Sequence, residues 1–129
     1  MFAWVTRRLG SAEEPLLAAA GMTMWEYVVL SRLARGPVPN QLTLARQVGH
    51  DKTRLIKLLD GLQDRGLIER APDPSDRRSH TVAITAEGRK LQRSARTAIR
   101  KMEDDILDVL TASERRALLT ALPKLYAAD

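Results

Sequence analysis

The sequence predicts a mainly α-helical fold with one small β-hairpin. Apolar residues recur at spacings of three and four over most of the chain, which is the period of amphipathic helices. Two of these helical patterns meet at the short turn Gly49-His50-Asp51. The second pattern ends at Gly66 and leads at once into two short extended runs with a polar loop between them. Together these parts predict a winged helix-turn-helix, in which a β-hairpin (the wing) follows a helix-turn-helix.

Composition narrows the class of protein. A chain of 129 residues is long enough for one domain, and its formal net charge of +5 and pI of about 10.1 favour a polyanionic partner. The absence of cysteine excludes disulfides, thiolate metal sites and cysteine redox sensing. His50 and His80 are isolated, so we predict neither a metal site nor a cofactor. No apolar run is long enough to cross a bilayer and no signal peptide is evident, so we expect a cytoplasmic protein.

The N-terminal 20 residues predict a broken first helix. Phe2, Val5 and Leu9 share a helical face, but Gly10-Ser11 and Pro15 interrupt the pattern. Ser11 and Glu14 have the spacing of a capping box, so a second short helix is expected to begin there.

The next three helices have clearer boundaries. A capping box of Thr23 and Glu26 predicts a helix over Met24–Arg35, with Tyr27, Leu30, Leu33 and Ala34 turned inward. A second helix is predicted over Gln41–Val48. The third begins after the N-cap Asp51 and ends at Gly66, with one apolar face made of Leu55, Leu58, Leu59 and Leu62. Gly61 costs the third helix about 1 kcal/mol relative to alanine, so we expect another backbone to pack closely against it.

The hairpin is predicted to have short strands and a long tip. Leu67–Arg70 and His80–Thr85 are the extended runs, and the polar loop Ala71–Ser79 separates them. Pro72 and Pro74 have no backbone N–H to donate, so the tip is expected to be unpaired and to project.

Two helices are predicted at the C-terminus. The first, Ala86–Leu110, would be about 37 Å long if unbroken, and its apolar stripe is too long for one small domain to cover. Much of that stripe should therefore contact another chain or the terminal helices. Thr111 and Glu114 cap the last helix, and Pro123 is expected to kink it or end it early.

The order of these elements and several short motifs resemble the MarR family of bacterial transcription regulators. The motifs are Gly21-Met22-Thr23, Leu44-Ala45, Val48-Gly49, Leu58-Leu59-Asp60, Gly66-Leu67-Ile68-Glu69-Arg70, Asp73-Pro74-Ser75-Asp76-Arg77-Arg78-Ser79, and Ile84-Thr85 with Gly88. The resemblance implies a homodimer that binds double-stranded DNA at a pseudo-palindromic operator and usually represses, released in some members by a small aromatic effector. It divides the chain into a dimerisation segment (1–22), a winged helix-turn-helix (23–86) and C-terminal dimerisation helices (87–129), all within one compact domain.

Charged and polar side chains on the helix after Asp51 and on the wing are the candidate DNA contacts. On the helix after Asp51 they are Lys52, Thr53, Arg54 and Lys57, which lie outside the leucine face and are suited to base edges and phosphates in a major groove. On the wing they are Asp76, Arg77 and Arg78, where the arginines would enter a minor groove or contact its phosphates and Asp76 would orient one of them or pair with the recognition helix. The alternative for both sets is an ordinary solvated surface. The stripe Arg89, Arg93, Arg96 and Arg100 is better explained as a solvated helix face.

Aromatic and methionine side chains form a weaker candidate site. Trp4, Met22, Trp25 and Tyr27 are candidates for an aromatic-ligand pocket, but packing in the core or at the dimer contact is the more favoured explanation. A winged-helix module for protein–protein assembly without specific DNA binding remains an alternative function. No nucleophile–base pair, metal set or glycine-rich phosphate loop supports an enzyme.

Overall fold

The computed structural model describes residues 1–127, except for the side chains of Arg77 and Tyr126. Within that part of the chain it has six helices and one antiparallel hairpin, which confirms the predicted fold class. In chain order the elements are α1 (Phe2–Ala19), α2 (Met24–Leu33), α3 (Gln41–Val48), α4 (Lys52–Asp64), β1 (Ile68–Asp73), β2 (Asp76–Ile84), α5 (Ala86–Leu107) and α6 (Ala112–Tyr126).

The core lies between α2, α3, α4 and the base of the hairpin. Its fully buried side chains are mostly leucines and valines: Leu30, Leu33, Leu44, Leu55, Leu59, Leu62, Val29, Val38 and Val82. Leu17 of α1 and Ala95 and Ile99 of α5 extend the same cluster. The helix-turn-helix therefore has its own apolar centre, and α1 and α5 are attached to one side of it.

The first helix is continuous, so the prediction of a break was wrong. α1 runs for 18 residues with Pro15 inside it. Proline removes one backbone hydrogen bond, but both Pro15 and Ser11 are exposed, so water can satisfy the Ser11 carbonyl. Two residues later Leu17 is buried against the core, and that packing favours continuing the helix.

The helix-turn-helix was predicted closely. α3 has the predicted bounds, α4 begins after Asp51, and Gly49 and Gly66 have the positive φ angles of +69° and +73° that favour glycine. α2 ends two residues earlier than expected, at Leu33. The expected close backbone at Gly61 is absent, because no described atom lies within 4 Å of the position its Cβ would take.

The strands are longer than predicted, and the predicted long loop was wrong. Ala71↔Thr81 and Pro72↔His80 continue the ladder, but the register then shifts. Asp73 pairs with Asp76 across the turn Pro74-Ser75, and residues 77–79 of β2 bulge without a paired residue on β1. Proline is tolerated at position 72 because of the direction of the backbone groups. The N–H and C=O of Val82 are hydrogen-bonded to Val38, on the side of β2 away from β1. Hydrogen-bonded and non-hydrogen-bonded pairs alternate along an antiparallel ladder, so the backbone polar groups of Arg70 and Pro72 also point away from the partner strand. Proline at position 72 therefore costs no hydrogen bond between β1 and β2.

The C-terminal helices end differently from the prediction. α5 stops at Leu107, three residues early, and its 22 residues span about 33 Å. α6 has the predicted capping box at Thr111 and Glu114 but continues through Pro123 to Tyr126, so the expected early end was wrong. The last two residues of the predicted segment 87–129 lie outside the described part of the chain.

Two groups of apolar side chains remain uncovered. On α6 they are Leu118, Leu119, Leu122 and Leu125, which are 37–64% exposed. At the N-terminus they are Met1, Phe2, Trp4 and Val5, which are 51–92% exposed. Exposed apolar patches of this kind usually mark an interaction surface.

Candidate nucleic-acid interface

The recognition helix α4 presents its cations because its opposite face is buried. Leu55, Leu59 and Leu62 have no exposed surface. Side chains on the other face must therefore project into solvent, and Lys52, Thr53, Arg54 and Lys57 are all exposed. Lys57 lies four residues after Thr53 and three after Arg54, so it shares a helix face with both, and the structure brings the predicted base-reading side chains together.

The start of α4 is fixed by its cap and its preceding turn. The Asp51 Oδ2 atom accepts a hydrogen bond from the Arg54 backbone N–H at 3.1 Å, as expected of an N-cap. The imidazole of His50 stacks on the indole of Trp25, with ring centroids 4.2 Å apart and an interplanar angle of 31°. Trp25 thus attaches the turn of the helix-turn-helix to α2, which fixes the direction in which α4 leaves the turn.

Two aspartates shape the wing tip. Asp73 Oδ1 accepts hydrogen bonds from the Ser75 backbone N–H at 2.9 Å and from its hydroxyl at 2.7 Å, and these bonds lower the pKa of the Asp73 carboxyl. Asp76 Oδ1 accepts the Arg78 backbone N–H at 3.0 Å, so Asp76 orders the strand that carries the arginines. Arg78 is exposed. The backbone of Arg77 lies in β2, but its side chain is outside the described set.

Arg70 joins the wing to both helices of the helix-turn-helix, a role that sequence reasoning missed. Its guanidinium donates to Gln63 Oε1 at 2.6 Å, to Gln41 Oε1 at 3.1 Å and to Asp60 Oδ1 at 2.5 Å. Strand alternation was the available signal, because Arg70 lies on the same face of β1 as the buried Ile68.

Two further arginines fasten helices to α2. Arg65, at the C-cap of α4, donates to Glu26 Oε2 at 3.0 Å and to the Gly21 carbonyl oxygen at 2.8 Å. Arg89 of α5 donates to the Ala34 carbonyl oxygen at 3.0 Å and is partly buried. Its assignment to a solvated stripe was therefore wrong, although Arg93, Arg96 and Arg100 are exposed as expected.

Lys52, Arg54 and Lys57 of α4, and Arg78 of the wing, form no ion pair with another described side chain. Ion pairs among the described side chains join Arg65 to Glu26, Arg70 to Asp60, and Arg115 to Asp104. None of those pairs uses the cationic side chains of α4 or Arg78. These side chains are free to meet an external polyanion.

The four residues of the aromatic-ligand hypothesis do not share one cavity in residues 1–127. Trp4 is 72% exposed and borders a shallow depression on α1, whereas Trp25 stacks on the turn. Met22 lines a groove of about 580 Å³ between α1 and α2, together with Leu17 and Met24. Tyr27 is half-buried near Ser31, and burial raises the pKa of its hydroxyl. The groove between α1 and α2 is thus the part of that hypothesis with a corresponding cavity.

Neither a metal site nor a membrane-crossing helix is found in the described part of the chain. No three His, Asp or Glu side chains among residues 1–127 are grouped so that they would hold a metal ion. None of the described helices has the length and apolar character that a membrane crossing requires.

Comparison with known proteins identifies the family. The model of the MarR family matches residues 20–79. The HTH-type transcriptional repressor Rv2887 of Mycobacterium tuberculosis is 31% identical over 122 residues, which are 92% of this chain and 88% of the relative. A protein of Thauera aromatica, named for transcriptional regulation of the hcr operon, is 29% identical over 109 residues, or 84% of this chain. This chain spans 66% of that relative's length.

A solved structure gives the same result at the level of the fold. The transcriptional repressor CouR bound to a 23-mer DNA duplex superposes with a TM-score of 0.85 and 29% identity, covering 97% of this chain and 89% of that one. These similarities, and the exposed cationic helix and wing, are those of DNA-binding regulators and not of enzymes. The chain belongs to the MarR family of transcription regulators.

Proposed function

We propose that this protein is a homodimeric repressor that binds a pseudo-palindromic operator, with α4 in the major groove and the hairpin at the flanking minor groove. The observation that carries the proposal is the set of unpaired cations on α4, held outward by a fully buried leucine face. The names of two relatives support it, because one is called a repressor and the other is a repressor bound to DNA.

The side chains of α4 suit base and phosphate recognition. Arg54 can make two parallel hydrogen bonds to a guanine edge, and Thr53 can contact a thymine methyl group or a phosphate. Lys52 and Lys57 add positive charge along the same 13-residue helix. On the wing, Arg77 and Arg78 are our candidates for the minor groove, whose negative potential attracts arginine.

The uncovered apolar side chains at the N-terminus and on α6 support dimerisation. A second copy of the chain would cover them, and it would place two recognition helices against half-sites about one helical turn, or roughly 34 Å, apart. Segments 1–22 and 87–129 are therefore proposed as the dimerisation parts. Sedimentation equilibrium is expected to give twice the chain mass of 14.4 kDa, whereas a monomer would contradict this part of the proposal.

Release by a small aromatic ligand is the remaining part of the proposal. The groove between α1 and α2 is lined by the apolar side chains of Leu17, Met22 and Met24 and by charged side chains of α1, namely Arg7, Glu13 and Glu14. A ligand there would act by favouring a dimer whose recognition helices no longer match the half-site spacing. Salicylate is a suitable probe, because titrating it into the DNA complex should release the duplex if the groove binds phenolic acids.

The decisive experiment measures the DNA affinity of single substitutions on α4. A duplex is first selected from genomic fragments in the presence of competitor DNA. Arg54→Ala and Lys57→Ala should each weaken binding about tenfold or more. Each should also reduce the slope of log affinity against log salt by about 0.9 for every phosphate that is no longer neutralised. Arg35→Ala is the matched control, because Arg35 is an exposed arginine just after α2, outside α4, the hairpin and the proposed dimerisation segments.

The outcomes separate the proposed function from its alternative. The dimer should persist in all three variants, since the three residues lie outside the core and outside segments 1–22 and 87–129, which are proposed for dimerisation. Unchanged DNA affinity in both α4 variants would contradict their assigned role. A wild-type protein that binds no fragment in competitor DNA would favour the protein–protein module instead.

A further inference from the structure

Where the hairpin leaves the core, each of its two strands is bonded to a neighbouring part of the chain. Val82 of β2 exchanges two backbone hydrogen bonds with Val38, both at 2.9 Å. On the paired strand, opposite Val82, stands Arg70. Ile68 and Val82 are the last fully buried residues of the hairpin, so apolar packing ends at this level and the rest of the wing projects.

Arg70 makes the attachment on the side of α4. Its three nitrogens reach Asp60 and Gln63, which lie three residues apart on one face of α4, and Gln41, the first residue of α3. The guanidinium is planar and its donors have fixed directions, so three acceptors determine its orientation as well as its position. Its side chain is only 17% exposed, which limits competition from water.

We infer that Arg70 is a positioning residue that sets the angle between the hairpin and the recognition helix, and thereby places the wing tip on DNA. The part of the inference that concerns DNA rests on the function proposed above. From Arg70 to the tip at Ser75 the strand extends about 15 Å. A rotation of about 10° at Arg70 would therefore move the tip by roughly 3 Å, which exceeds the tolerance of a hydrogen bond.

The test begins with the angle itself, without DNA. The chain has no cysteine, so thiol-reactive spin labels will attach only to cysteines that are introduced. Ser75→Cys on the tip and Thr97→Cys on α5 provide the two positions. Diluting labelled chains with unlabelled ones confines the measured distances to one subunit. The wild type should give a narrow distance distribution, and Arg70→Met, which keeps the apolar stem but no donor, should broaden it. Arg100→Met is the control.

DNA footprinting then measures the consequence. Hydroxyl-radical cleavage should show wild-type protection both at the half-site core and at the flanking minor groove. Arg70→Met should lose the flanking protection, keep the core protection and bind about tenfold more weakly. Arg70→Lys, with a single point donor, should lie between the two. Gln63→Leu removes one acceptor of Arg70 and leaves its ion pair with Asp60. It should therefore lose less of the protection at the flanking minor groove than Arg70→Met does.

Each outcome supports or overturns the inference. The inference would be overturned if Arg70→Met kept both a narrow distance distribution and the protection of the flanking minor groove. Loss of both protections, or unfolding of Arg70→Met together with wild-type behaviour of Gln63→Leu, would show a general structural role and overturn it as well. A wild type that protects no DNA would refute the proposed function, while broadening in Arg70→Met would still establish that Arg70 sets the angle.

Discussion

Replacing Gly88 with alanine is expected to destabilise the fold strongly. Gly88 is the third residue of α5, and its backbone N–H donates to the Thr85 hydroxyl at 3.0 Å. A Cβ there would overlap the Leu67 carbonyl oxygen and come within 2.8 Å of Ile84 Cγ1. The backbone of Leu67 would have to move by roughly 1 Å to restore an ordinary contact.

That movement determines the magnitude. It would strain the hydrogen bond from the Thr85 backbone N–H to Leu67, which is 3.1 Å long. Overpacking of this kind costs about 1–3 kcal/mol, and losing the bond costs about 1 kcal/mol more. Alanine's higher helix propensity offsets about 1 kcal/mol of this, so we expect Gly88→Ala to lower the free energy of unfolding by about 2 kcal/mol.

Gly61 provides a matched substitution of opposite sign. It also lies inside a helix, but it is exposed and a Cβ would meet no described atom within 4 Å. Gly61→Ala should therefore show only the gain in helix propensity and raise the free energy of unfolding by about 0.5–1 kcal/mol.

Urea denaturation of both variants, at one protein concentration and without DNA, measures the difference. Fixed concentration is essential because association contributes to apparent stability. Thermal midpoints should fall by about 7 °C for Gly88→Ala and rise by about 3 °C for Gly61→Ala. Stability shifts of the same sign in the two variants would refute the reasoning, since the steric difference at the two sites is the whole basis of the expectation.

Two further predictions concern stability. Thr23→Ala removes the hydroxyl that accepts the Glu26 backbone N–H, while the backbone N–H of residue 23 can still donate to the Glu26 carboxylate. The free energy of unfolding should fall by about 1 kcal/mol, measurable in urea. Burial, and secondarily the Glu103 carboxylate, raise the pKa of the Glu13 carboxyl. The charged form is thus disfavoured in the folded state, and stability falls as pH rises through the raised pKa. Glu13→Gln should therefore stabilise the protein at about pH 7.5 but not at about pH 4, and equal effects at both would contradict the assignment.

The helix-turn-helix was predictable because its signals are local. Asp51 caps α4, Gly49 and Gly66 take positive φ angles, and the leucine spacing selects the buried face. Each feature depends on a few neighbouring residues, so a single sequence contains the necessary information. The same holds for the candidate DNA contacts on α4, whose exposure follows from the spacing alone.

The prolines were misjudged because their cost depends on tertiary structure. Pro15 and Pro123 lie inside helices that the sequence predicted to be broken or shortened. A proline in a buried helix leaves a carbonyl without a partner, whereas a proline on an exposed face leaves it to water. Exposure of these positions is set by how α1 and α6 pack, which no local pattern reveals.

Long-range arginine contacts were also outside the reach of sequence patterns. Arg70 reaches Gln41 across 29 residues, Arg65 reaches Glu26 across 39, and Arg89 reaches Ala34 across 55. From the sequence alone each is only a positive charge on a surface, and for Arg89 that interpretation was wrong. Pairing of this kind becomes visible only when the elements are placed side by side.

These contacts change what the net charge of +5 means for DNA binding. Arg65 and Arg70 are paired with the carboxylates of Glu26 and Asp60, and the partly buried Arg89 donates to the Ala34 carbonyl. None of the three guanidinium groups is therefore free to bind a phosphate directly. The cations of α4 form no ion pair with a described side chain, because the helix buries leucine on its inner face and turns these cations to solvent on its outer one. Two classes of arginine therefore coexist, one that builds the scaffold and one that is free for phosphate. The salt dependence of DNA binding should accordingly respond to Arg54 and hardly at all to Arg89, although both carry the same charge.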